Sequence, residues 1–107
     1  MVARGDIIWV DLGLPVGRRL VCVLTRNAAI QVLSAITCAP ITRTVRGIRS
    51  EVEVGPREGL PEMSVITCDN IVTLPVAMLA GSRVGSLGLA KRVALDGALR
   101  YALDIQY

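Results

Sequence analysis

The sequence predicts a β-rich α+β fold, a small curled sheet or barrel of five or six short strands closed by one C-terminal helix. Three observations carry this. Short runs rich in β-branched residues recur through residue 87, each bounded by turn residues. Only the last segment changes to helical periodicity. The whole chain has 107 residues, with no repeat, linker or low-complexity tract, so residues 1–107 are read as a single domain.

The elements follow in order. Asp6 to Leu12 is a β-rich run, and Gly13-Leu14-Pro15-Val16-Gly17 is a turn. Arg19 to Thr25 is the second strand, and its unbroken apolar centre, Leu20 to Leu24, implies burial on both faces. Arg26 to Ala29 reads as a loop. Val32 to Ile41 is the third strand; Pro40 cannot donate to a ladder and belongs at a strand end or edge. Ser50 to Val54 alternates polar and apolar residues, as a half-exposed strand does. Gly55 to Pro61 is a turn-rich connection. Ser64 to Cys68 is another strand, continued by Ile71 to Leu74 beyond a bend at Asp69-Asn70. Pro75 opens a short helical turn through Leu79, and Arg83 to Leu87 is the last strand. Leu95, Leu99, Ala102 and Leu103 share one face of a helix over 89–103, with Asp96 and Arg100 spaced to pair on its flank.

Composition narrows the function. No apolar run is long enough to span a bilayer, and the N-terminus has no signal-peptide pattern, so a cytoplasmic protein without a membrane partner is expected. The three cysteines, Cys22, Cys38 and Cys68, each lie in an apolar run and read as small buried hydrophobes in a reducing compartment. There is no histidine, which removes the commonest metal ligand and general base. No metal and no cofactor are expected. Residues 1–50 hold seven arginines and two acids, a net +5; residues 51–107 hold five basic and seven acidic groups, a net −2. The first half has the bias of a surface that faces phosphates. Aromatic residues number three, Trp9, Tyr101 and Tyr107, too few for a base-stacking platform.

The segment CAPITRTVRGIRSEVEV, residues 38–54, concentrates this charge. Arg43, Arg46 and Arg49 follow at intervals of three in the connection between two strands. Such a run is expected to face phosphates, in contacts that supply affinity without sequence information. The competing reading is a solvated loop whose arginines pair with Glu51 and Glu53, pairs that contribute little when exposed.

The ordered motifs RGDIIWVDL, GRRLVCVLT, APITRTVRG and SVITCDNIVTL, with the terminal VGSLGLAKRVALDGALRYAL, resemble the MazF/PemK/Kid toxins over nearly the whole chain. The third and fourth look most like the mycobacterial branch. The resemblance implies an SH3-like barrel of the PemK/CcdB type, with five to seven short strands and a C-terminal helix. It implies a homodimer that cleaves single-stranded RNA at a short preferred sequence without a metal. It also implies inhibition by a cognate antitoxin through an acidic, extended C-terminal segment.

The same resemblance assigns residues. Gly17-Arg18-Arg19-Leu20 stands where the family carries an arginine motif, so Arg19 takes the catalytic arginine's place. Thr42, after Pro40-Ile41, takes that of the catalytic threonine. Some members use an arginine and an aspartate two apart on the strand resembling SVITCDN; here those positions hold Thr67 and Asp69, so the aspartate is kept and the arginine is absent. The catalytic candidates are Arg19, Thr42 and Asp69. The RNA-contacting candidates are Arg18, Arg43, Arg46, Ser64 and Thr67. Two further departures are Leu20 in place of a proline and a first loop several residues shorter than usual, which bears on substrate preference. Trp9 resembles the aromatic of the family's first strand and is expected in the core or at a dimer seam.

The chemistry suits these residue types. RNA is cut when its own 2′-hydroxyl attacks the adjacent phosphorus, so the protein needs to align the chain, move two protons and stabilise charge. An arginine fork donates two parallel hydrogen bonds to phosphate oxygens and stays protonated. Arg19 is therefore assigned to transition-state electrostatics, Thr42 to orienting the 2′-hydroxyl or a phosphoryl oxygen, and Asp69 to accepting a proton. Two other readings compete: a non-enzymatic CcdB-like toxin that poisons gyrase, and a catalytically silent RNA-binding barrel. The CcdB type ends in Trp-Gly-Ile, whereas this chain ends Asp104-Ile105-Gln106-Tyr107, which favours the nuclease.

Overall fold

Side chains alternate across a strand, so a run that is apolar at every position must be covered on both faces. The computed structural model, which describes residues 1–80 and 83–106, meets this requirement with two separate cores. Among the described residues seven strands form one curled antiparallel sheet, a half-barrel: β1 (Asp6–Asp11), β2 (Arg18–Val23), β3 (Ala35–Thr42), β4 (Glu51–Val54), β5 (Ser64–Thr67), β6 (Val72–Pro75) and β7 (Arg83–Ser86). Their order is β4-β5-β3-β2-β1-β7, with β6 also paired to β3. A four-residue helix, α1 (Asn27–Ile30), follows β2, and α2 (Leu89–Leu103) ends the fold.

The first core gathers Ile7, Cys22, Ala39, Ile41, Ile66 and Leu95, so α2 packs on this face of the sheet. The second gathers their strand neighbours Ile8, Val21, Val23 and Cys38 with Ile30, Leu74 and Leu79. It is therefore closed by α1 and by the 3-10 turn Val76–Leu79. The loop expected at Arg26–Ala29 is thus partly helical: Ala29 and Ile30 are buried, and their burial stabilises a turn that the isolated tetrapeptide would not hold.

Pro40 is the second departure. It lies inside β3, opposite Val21. On the other edge of β3, pairing with β6 ends at Cys38 and pairing with β5 begins at Ile41. The missing N–H thus falls where the ladder is already interrupted, which lets a proline sit in an inner strand. The bend between β5 and β6 is the 3-10 turn Cys68–Asn70, as the sequence predicts.

The bounds of α2 agree with the expected helix. Leu95 and Ala98 are buried, and Leu99 and Ala102 pack against the first core. Leu103 is instead 50% exposed. At 3.6 residues per turn it is rotated about 80° from Leu95, outside the stripe that Ala98, Ala102 and Leu99 form around Leu95. Asp96 is paired with Arg4, Nη2 to Oδ1 2.9 Å, which ties the helix to the segment before β1. Among the described residues no helix is long and apolar enough to cross a membrane. Tyr107, the last of the aromatics, lies outside the described residues.

Candidate active-site cleft

The β2–β3 register decides which side chains meet. Its last pair is Leu20 opposite Ile41. One residue further along each strand stand Arg19 and Thr42, so antiparallel pairing brings the start of β2 and the end of β3 to the same rim of the sheet. Arg19 is also paired with Val10 on β1, and Thr42 with Val65 on β5, which braces both from the side away from each other. Both are exposed.

A cleft of about 320 Å³ opens at this rim, and both Arg19 and Thr42 line it. Arg18, Arg43 and Ser64 share its wall, so five of the eight sequence-derived site residues converge there. Its apolar lining includes Trp9, Leu20, Ile41 and Leu60. Trp9 is therefore not a core residue: it is 37% exposed, with the Arg18 guanidinium 5.0 Å above its ring. One Arg19 Nη1 hydrogen bond goes to the Arg18 carbonyl at 2.8 Å. The Arg43 guanidinium donates to Glu62 Oε2 at 2.8 Å, and this hydrogen bond and the carboxylate's charge raise its pKa further. The Ser64 hydroxyl donates to the Glu62 carbonyl at 3.2 Å.

Thr42 also faces a second, smaller cleft of about 290 Å³ that contains Thr44, Arg46, Glu51, Thr67 and Asn70. Arg46 and Thr67 thus belong beside Thr42 but on its other side. Thr67 is 8% exposed, and its Oγ1 is buried without a hydrogen-bond partner among the described residues. The Glu51 carboxylate accepts from the backbone N–H of Arg46 (3.1 Å) and of Gly47 (2.9 Å). The arginine segment is therefore held by its backbone, and Glu51 does not consume the Arg46 guanidinium.

Two expectations meet a different geometry. Asp69 lines neither cleft; its Oδ2 accepts from the buried Ser50 hydroxyl at 2.6 Å, because the 3-10 turn after β5 carries it back towards the start of β4. Arg49 does not join Arg43 and Arg46 along a channel, since its guanidinium stacks 4.5 Å from the Tyr101 ring on α2. The sequence reading missed Trp9, Leu60 and Glu62 as cleft residues. The last two sit in the turn-rich connection before β5, where no periodicity marks which side chain faces the site.

The cysteines take no part. Burial pushes the Cys22 thiol up to about 12 and those of Cys38 and Cys68 to about 11, so all three stay protonated.

Comparison with known proteins agrees with this architecture. Residues 3–103 match the family described as PemK-like, MazF-like toxin of type II toxin-antitoxin system. Probable endoribonuclease MazF5 of Mycobacterium tuberculosis is 38% identical over 103 residues, covering 95% of this chain and 93% of that protein. Endoribonuclease MazF3 of the same species is 42% identical over 89 residues, covering 83% and 85%. The solved structure of M. tuberculosis toxin MazF-mt6 superposes with a TM-score of 0.86 at 38% identity, covering 95% of this chain and 99% of that one. A mycobacterial endoribonuclease solved in complex with its cognate antitoxin gives a TM-score of 0.88 at 27% identity, covering 100% and 99%. The curled sheet, the helix that closes it and the match over residues 3–103 together place this chain in the PemK-like, MazF-like family of type II toxin–antitoxin toxins.

Proposed function

We propose that this chain, acting as one domain over residues 1–107, is a MazF-type endoribonuclease toxin that cuts single-stranded RNA at a short preferred sequence. The observation that carries the reading is the meeting of Arg19 and Thr42 at one rim of the sheet, in a cleft shared with two further arginines. The Arg19 fork stabilises the charge that develops on the phosphoryl oxygens, and the Thr42 hydroxyl orients the reacting ribose or phosphate. Arg18 and Arg43 hold the phosphates on either side, with Ser64 on the same wall. Arg46 and Thr67 receive the chain beyond Thr42. Asp69, through Ser50, keeps the start of β4 in place beneath the arginine segment.

The protein acts in the cytoplasm as a homodimer and is silenced by a cognate antitoxin, whose acidic extended segment competes with RNA for the arginines. A relative solved with its cognate antitoxin supports the inhibition, as does the exposure of the cleft. The gyrase-poisoning reading is not favoured, since the relatives covering most of this chain are named endoribonucleases.

The deciding experiment is cleavage of a mixed single-stranded RNA pool in EDTA by the wild type and by Arg19→Ala. The wild type should cut, and the variant should be slower by ~10²–10³, the usual cost of one preorganised donor. Equal rates would remove Arg19 from the chemistry. Loss of wild-type cleavage in EDTA would overturn the metal-independent mechanism.

A further inference from the structure

We propose that Glu62 is the proton acceptor of the cleft, an inference that rests on the ribonuclease reading. Attack by a 2′-hydroxyl needs a base. The chain has no histidine, and its arginines remain protonated. No lysine, tyrosine or cysteine lines the cleft among the described residues, so a carboxylate is the side chain suited to the task there. Among the described residues Glu62 is the only carboxylate that lines the cleft with Arg19 and Thr42. Glu51 stands on the far side of Thr42 and is engaged by two backbone N–H groups. Asp69 is bound to Ser50 and lines neither cleft.

The Glu62 carboxylate is also mounted as a base should be. One oxygen, Oε2, is held by Arg43, the residue after Thr42, while Oε1 has no partner among the described residues. The pair orients the carboxylate towards the cleft wall and leaves a lone pair on the other oxygen. The side chain is 60% exposed, so the captured proton has a path to water. The charged groups that face it across the cleft are Arg18, Arg19 and Arg43.

The step balances. Glu62 takes the 2′-hydroxyl proton as the 2′-oxygen bonds to phosphorus. The bond from phosphorus to the 5′-oxygen breaks, and that oxygen leaves with the electron pair and takes a proton from water. The products are a 2′,3′-cyclic phosphate and a 5′-hydroxyl, and Glu62 returns its proton to solvent.

The test is single-turnover cleavage of a single-stranded RNA oligonucleotide against pH, by the wild type, Glu62→Gln and Glu62→Ala. Wild-type rates should fall towards acid pH as the base is protonated. Glu62→Gln should slow the chemical step by ~10²–10⁴, lose the acid limb and bind RNA at least as tightly. Added formate should partly rescue Glu62→Ala. A Glu62→Gln enzyme that keeps the acid limb and cuts at a wild-type rate overturns the assignment. One that cuts faster does so too, and shows instead that Glu62 only competes with RNA for Arg43. A wild type that produces no cut ends under any condition defeats the ribonuclease reading itself, a result distinct from either.

Discussion

The Arg49 guanidinium lies 4.5 Å from the centroid of the Tyr101 ring, so the end of the arginine segment is clasped to the C-terminal helix and only Arg43 and Arg46 are left at the clefts. Three arginines at equal spacing in sequence therefore have unequal duties. Arg49→Ala and Tyr101→Ala should each cost ~0.5–1 kcal/mol of stability, the range of an exposed cation–π contact. Neither should alter the salt dependence of RNA binding. Arg46→Ala should leave stability unchanged and reduce the slope of log K against log salt by about 1. Denaturant melts and binding titrations at several salt concentrations check both; a flattened slope for Arg49→Ala would put its side chain back on RNA.

Thr67 should trade stability for function. Its buried hydroxyl has no partner among the described residues, an arrangement that costs free energy, while it faces the cleft beside Thr42. Thr67→Val keeps the shape and removes the orphaned group. The variant should melt higher, by about 1 kcal/mol of added stability, and cleave RNA more slowly. Unchanged cleavage would show that the hydroxyl never meets substrate.

Gly85 in β7 has no room for a side chain. A Cβ there would run into the backbone carbonyl of Glu58, and one at Gly59 would sit 2.6 Å from the carbonyl oxygen of Val84. The turn before β5 and the edge strand β7 thus meet backbone to backbone. Gly85→Ala should destabilise the fold by ~1–3 kcal/mol through overpacking. Because that turn carries Leu60 and Glu62 into the cleft, activity should fall beyond the loss of folded protein. A urea melt paired with an activity assay on the folded fraction measures the two effects.

The thiols make the fold sensitive to alkali. Burial raises Cys22 from 9.0 to about 12 and Cys38 and Cys68 to about 11. The unfolded chain therefore loses protons at a lower pH than the folded chain does. The stability these groups contribute is complete below pH 9 and is lost as pH climbs from there towards 11 and 12. Melting temperature should drop across that window, and a thiol reagent at pH 8 should label the cysteines only after denaturant is added. Rapid labelling of the native protein would contradict their burial.

Much of this was legible along the chain because the signals are local. Runs rich in β-branched residues, turn residues and the change to helical period at the end place β1 to β7 and α2 within a few residues, and the charge of residues 1–50 points to a phosphate partner. The order of motifs named Arg19 and Thr42. What lay beyond reach depends on partners distant in sequence. Only the β2–β3 register puts Arg19 and Thr42 on one rim, and a shift of one residue would send either side chain to the other face. Arg49 and Asp69 resemble site residues until the docking of α2 and the turn after β5 turn them elsewhere. Glu62 lies in a connection without periodicity and enters the cleft because the β4–β5 pairing folds that connection back beside Arg43. Burial patterns are written residue by residue, but a site is a convergence of chain segments, and convergence is decided by strand pairing and packing.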